Sequence, residues 1–149
     1  MEVILAILLN LAILAMIILI FLRFRLDRLI LRVEMQWNAL NLLMRYIVSD
    51  EMGTERASQK EQQKMDTFLK SKRQVKQVTA ANALNDFLKI PSVAYADYLK
   101  RRDGYNSAVR TFNKKLEAPV WKAVATVFRM KPRIECVEFE SASNLPEPS

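Results

Sequence analysis

From Val3 to Leu22 the chain carries no charge, and Asn10 is the only polar residue in that stretch. Twenty residues at about 1.5 Å each match the ~30 Å hydrocarbon core of a bilayer. A segment this apolar has no face to offer water, so it constrains everything after it. Fifteen of the twenty residues are Leu, Ile, Val or Phe. At roughly −0.3 to −0.6 kcal/mol each near the bilayer centre, they outweigh the single amide. A cleaved leader needs a basic start, a shorter apolar core and a small-x-small site. Here the start is Met1-Glu2, the core is too long, and Arg23 follows at once. Residues 1–22 are therefore expected to anchor the chain as a transmembrane helix. Asn10 has two readings: an amide that joins two spans, or one bonded to its own backbone.

The remaining 127 residues, 149 minus 22, suit one modest domain. Two glycines in a chain rich in apolar and charged residues favour helices. Histidine is absent, which removes the commonest general base and metal ligand. The lone Cys136 rules out an internal disulfide and a thiolate cluster. No phosphate-cradling glycine loop occurs, and no carboxylate pair neighbours a nucleophile. The expectation is a non-enzymatic protein with no cofactor, no metal site and no small-molecule substrate.

No glycine or proline interrupts the chain before Gly53. Leu26, Ile30, Val33, Trp37, Leu40, Met44 and Ile47 step by 4, 3, 4, 3, 4, 3, an a/d seam held for three heptads. The anchor is thus expected to continue as one rod to about Val48. A polar loop, 49–59, follows, with Thr54 or Ser58 as cap candidates. A second helix is predicted to about Lys89, with Lys70 to Lys76 as solvated surface. Pro91 breaks the pattern and suits the start of a third helix, Ser92 to Leu116. There Tyr95, Tyr98, Arg102, Tyr105, Val109, Phe112 and Leu116 again step by 3 and 4. Gly104, inside it, permits a close approach or is simply tolerated. Pro119 opens a short fourth helix whose Val120, Trp121, Val124, Val127 and Phe128 share one face. Pro132 ends it; 134–140 is expected to extend along the domain, and 141–149 resembles a disordered tail. The fold class is all-α: an N-terminal transmembrane helix continuous with a three- to four-helix antiparallel, coiled-coil-like bundle. The domain order is 1–22 anchor, 23–131 bundle and 132–149 extended or disordered tail.

From Tyr98 to Pro132 the wording, YLKRRDGYNSAVRTFNKKLEAP followed by VFRMKP, resembles the C-terminal signature of the LemA family. The matching residues are Arg101, Arg102, Asp103, Tyr105, Asn106, Ala108, Val109, Phe112, Asn113, Pro119, Phe128, Lys131 and Pro132. Trp37, in an amphipathic helix just past the anchor, resembles the family's first helix. The chain departs from the family in a short middle, and in Val120 to Val127 where the family is glycine-rich. The resemblance implies a bacterial single-pass membrane protein with a coiled-coil-like bundle and no established enzymatic activity. One branch of the family resides on magnetosome membranes, so the resemblance also admits an organelle membrane.

Arg102, Asp103, Asn106 and Asn113 form a polar stripe on the third helix. Buried polar groups must find partners. The stripe has two readings: a groove for a peptide or lipid headgroup, or hydrogen bonding between helices, with Asn38, Asn41 or Arg45 across the seam. The chain is basic, 23 Lys and Arg against 16 Asp and Glu. Ten of these cations lie between Lys100 and Arg133. Nucleic acid is disfavoured, since no reading helix or aromatic platform accompanies them. Anionic lipid or an acidic protein is the alternative partner of this basic face, but a fourth helix far from the bilayer is expected to limit the lipid contact. The favoured partners are the lipid bilayer together with an unknown protein or a second copy. Arg23, Arg25, Arg28 and Arg32 against Asp27 and Glu34 leave a surplus of two charges after the span. The expected location is the cell membrane, with the N-terminus outside and the domain in the cytoplasm.

Overall fold

The computed structural model describes residues 1–52 and 57–142. The Thr54 cap candidate and most of the expected tail, 143–149, lie outside the described residues. Within them the regular structure is five α-helices and one parallel β-bridge, Ile90 with Ser141.

Helix α1 runs unbroken from Glu2 to Met52, four residues beyond the expected end. At ~1.5 Å per residue it is about 76 Å long. Its residues 2–18 stand clear of everything else, and it is the one described helix long and apolar enough to cross a membrane. Asn10 Nδ2 donates to the Ala6 carbonyl, 2.9 Å, so the amide is bonded to its own backbone. The second half packs as its heptads require. Leu26, Val33, Trp37, Leu40, Met44 and Ile47 are buried, and Ile30 is half-buried.

The single second helix expected up to Lys89 is instead a hairpin of two short ones: α2, Gln59–Lys70, and α3, Gln74–Asn82. A turn over 83–87 follows. Ser58 caps α2 in a full capping box with Glu61, which holds the Glu61 carboxyl below its ordinary pKa. The break after Lys70 has a physical cause. After Leu69 no apolar residue arrives until Val75, so no buried face carries the helix onward. Arg45 then captures the orphan carbonyls of Leu69 and Ser71 at 2.8 and 3.1 Å. Gln77 Nε2 donates a second bond to the Ser71 carbonyl, at 2.9 Å.

Helix α4, Ser92–Glu117, is antiparallel to α1. Arg101 donates to the Ala39 carbonyl, Tyr105 packs on Trp37 with centroids 5.2 Å apart, and Phe112 shares a cleft with Ile30. Position rises in α4 as it falls in α1. This corrects the expected course, in which the third helix led away from the apolar segment. Because α2 and α3 turn within the far half, α4 makes the return journey. It carries α5, Pro119–Val127, back beside the end of the apolar run. There Leu19 and Leu22 are half-buried against the core and Arg23 stands over the Phe128 ring at 4.5 Å.

A Cβ on Gly104 would come within 2.9 Å of Gln36 Oε1, the mobile tip of a half-buried side chain. Gln36 can swing aside, so helix propensity decides the outcome. Gly104→Ala is expected to stabilise the bundle by up to about 1 kcal/mol, read as a rise in urea midpoint. A fall would show that Gln36 is fixed.

Helix α5 faces the core through Val124 and Ala125, with Trp121 and Phe128 half-buried. Val120 and Val127 point outward, 60% and 63% exposed, so the expected single inward face is split. The helix ends earlier than Pro132, in a Schellman-type turn. Arg129 adopts φ 53°, and Met130 N–H bonds the Ala125 carbonyl at 2.8 Å. That turn directs the chain into an extended strap, 130–142.

Candidate functional site

The strap lies along α4, held by side chains in place of a neighbouring strand. Asn106 Nδ2 donates to the Cys136 carbonyl and its Oδ1 accepts from Cys136 N–H, both 2.8 Å. Asn113 treats Arg133 the same way, at 2.9 and 2.8 Å. Asn82, from α3, donates to the Glu135 carbonyl and accepts from Val137 N–H, both 3.0 Å. Tyr105 donates to the Ile134 carbonyl at 2.7 Å, and Tyr98 to that of Val137 at 2.8 Å while accepting from Phe139 N–H. The Ile90 backbone completes the row, bonding Glu140 and Ala142 at 2.9 Å each.

The spacing explains the fit. Seven helical residues advance about 10.5 Å, and three extended residues about 10 Å. Asn106 and Asn113 therefore reach Cys136 and Arg133 in register, with the strap antiparallel to α4. Each amide offers a donor and an acceptor side by side, which is what an extended residue presents. The strap's own apolar residues close the core: Phe139 is fully buried, edge-on to Tyr98 at 5.7 Å, and Cys136 is 3% exposed. Burial pushes the Cys136 thiol up to about 12, which leaves it protonated and inert at neutral pH. Burial likewise raises both Tyr98 and Tyr105, which stay donors.

The stripe's asparagines are thus joined to a backbone that spacing within the helices did not reveal. Asn38, Asn41 and Arg45 are not their partners. Asn38 and Asn41 line a separate cleft with Gln74 and Gln77, and Arg45 serves α2. Arg102 pairs with Glu138 of the strap at 2.6 Å and with Asp103 at 2.7 Å. Burial works against its charge, but those carboxylates outweigh it and raise its pKa. Arg101 bonds Asp97 as well as the Ala39 carbonyl. Val109, Phe112, Tyr105 and Trp37 are core residues, and Trp37 Nε1 donates to Gln77 at 2.7 Å. Tyr98 and Asn82 complete the clasp, and neither stood out in the polar stripe. Asn82 lies on a different helix, with no periodicity linking it to Asn106.

A second feature lies where the apolar run ends. A cleft of about 390 Å³ is lined by Arg23, Asp27, Ile30, Phe112, Phe128 to Pro132 and Arg133. Its charged residues are Arg23, Arg129, Lys131 and Arg133 against Asp27. Phe128 and Pro132, two of the signature residues, form its walls. Beside it, Lys115 Nζ sits 4.5 Å over the Trp121 ring. The arrangement suits a singly or doubly charged oxyanion attached to an apolar body. Among the described residues, no group of three or more His, Cys, Asp or Glu gathers to hold a metal.

Comparison with protein-family models, curated proteins and solved structures finds no match.

Proposed function

We propose that the protein is a membrane-anchored, LemA-like helical scaffold whose bundle rests on the bilayer and holds anionic phospholipid headgroups in the basic cleft. One observation carries this reading: the return of α4 sets four cations and the exposed apolar edge of α5 at the end of the apolar run. Each cation near an anionic surface contributes roughly 1 kcal/mol. The phosphate lies among Arg23, Arg129 and Lys131, while Val120, Val127 and the Trp121 ring enter the interface. The sequence resemblance supports the anchor and the scaffold role, and the charge balance after Leu22 supports a cytoplasmic bundle.

The test uses the full chain in vesicles of brominated lipid. Bromine quenches an indole lying at the interface, and Trp37 is buried in the bundle. Stronger quenching is expected from brominated phosphatidylglycerol than from brominated phosphatidylcholine. Trp121→Phe removes most of it, and R129E/K131E removes the preference for the anionic lipid. Equal quenching by both lipids overturns the headgroup reading.

A further inference from the structure

The water-side half of α1 has a second stripe that its own bundle does not use. Phe24, Leu31, Met35, Leu42 and Tyr46 are all exposed, from 56% at Leu31 to 74% at Tyr46. At 100° per residue these five fall within an arc of about 60°. The buried seam through Leu26, Val33, Trp37, Leu40 and Met44 lies roughly 180° away. An apolar stripe on the outer face of a packed bundle, interrupted by Arg28 and Asn38, is an unmet interface.

Its register is that of a coiled coil. Leu14, Phe21, Arg28, Met35 and Leu42 repeat every seven residues, and so do Asn10, Ile17, Phe24, Leu31 and Asn38. The two series interleave as a and d positions for five heptads. The stripe therefore continues from the apolar segment into the bundle region. We propose that α1 pairs in parallel with α1 of a second copy along this stripe, making the protein a dimer with its two bundles on the outer sides. The inference rests on the anchor reading, since a shared membrane holds two copies parallel and in register.

Three features select a second copy over another apolar partner. In a parallel pair each d residue meets its own counterpart, so Asn38 faces Asn38, and Asn10 faces Asn10 with the N–H and Oδ1 that its bond to the Ala6 carbonyl leaves over. Amides are self-complementary, having both donor and acceptor. The flanking positions match as well: Asp27 at g lies beside Arg32 of the other copy at the following e, twice by symmetry. The side of the stripe is the third. The basic cleft meets α1 through Arg23, Asp27 and Ile30, about 70–130° round the helix from the middle of the stripe, so the cleft borders the pair's flank and does not lie in its seam. Arg28, at an a position, is the one unfavourable contact, and its long stem lets the guanidinium turn outward. A lone polar a residue of this kind lowers stability and fixes register.

The test uses the full chain reconstituted in vesicles at low protein-to-lipid ratio. Under mild oxidation Leu31→Cys is expected to crosslink into a dimer. Val93→Cys, more accessible still at 94% exposed but off the stripe, stays at background. The buried Cys136 serves as the unreactive internal thiol. Energy transfer between labelled copies is expected to drop at least roughly tenfold in L31E/M35E, because charge is forced into the seam. Both residues are exposed in the single chain, so that variant keeps the melting temperature of the bundle. Background crosslinking of Leu31→Cys, or undiminished transfer in L31E/M35E, overturns the pairing while leaving the anchor intact. A chain that fails to float with vesicles removes the anchor reading and the pairing together.

Discussion

Asn106→Leu is expected to lower the melting temperature by roughly 10 °C or more. Leucine fills a similar volume without an amide. The buried N–H and carbonyl of Cys136 then lose both partners, at 2.8 Å each. Leaving one such group unpaired costs roughly 1–3 kcal/mol, so the pair costs about 2–6. The same change loosens the strap around a thiol that is 3% exposed in the intact fold. Labelling of Cys136 by a neutral-pH thiol reagent should accelerate by at least about tenfold, in line with a loss above 1.4 kcal/mol in local closure. Thermal unfolding and labelling rate are measured on one sample. Labelling unchanged from the parent, with an unchanged melting temperature, would show that the asparagine does not hold the strap.

Ending the chain after Lys131 is expected to have a larger effect. Asn82, Asn106, Asn113, Tyr98 and Tyr105 would face an empty groove, and the sites filled by Phe139 and Cys136 would open to water. Burying one Phe contributes roughly 1.5–3 kcal/mol, and the clasp adds several hydrogen bonds to it. Together these approach the 5–15 kcal/mol that holds a typical domain. The shortened chain should lose its cooperative thermal transition. A synthetic peptide spanning 132–142, added in excess, should restore it by mass action, with a melting temperature that rises with peptide concentration. The same peptide carrying alanine at Phe139 should restore far less. A sharp transition in the shortened chain without peptide would remove the strap from the core.

The helical seams were legible because their physics is periodic. Leu26 to Ile47 and Tyr98 to Leu116 step by three and four, and nearly all of those positions are buried. The anchor-length run was legible from composition alone. The hairpin of α2 and α3 was not: its break depends on Arg45, more than twenty residues upstream, satisfying the carbonyls of Leu69 and Ser71. That break changes the course of the whole bundle, so one missed turn reversed the expected direction of α4 and the level of α5. For the candidate site, the need of Asn106 and Asn113 for partners was visible in their seven-residue repeat. The partners were not, because an amide gripping an extended backbone is indifferent to the side chains there. The available signal was metric: two helical turns match three extended residues.

The strap also sets an order of events during synthesis. Its residues, 132–142, leave the ribosome after every helix they close, and the apolar run from Val3 to Leu22 leaves before those helices. The helices therefore emerge with Asn82, Asn106 and Asn113 still waiting for the backbone they clasp. Domains close as units once their last part is available. Maturation of this bundle thus waits on synthesis of the strap, and until then a nascent chain displays an open groove that a quality-control chaperone can read.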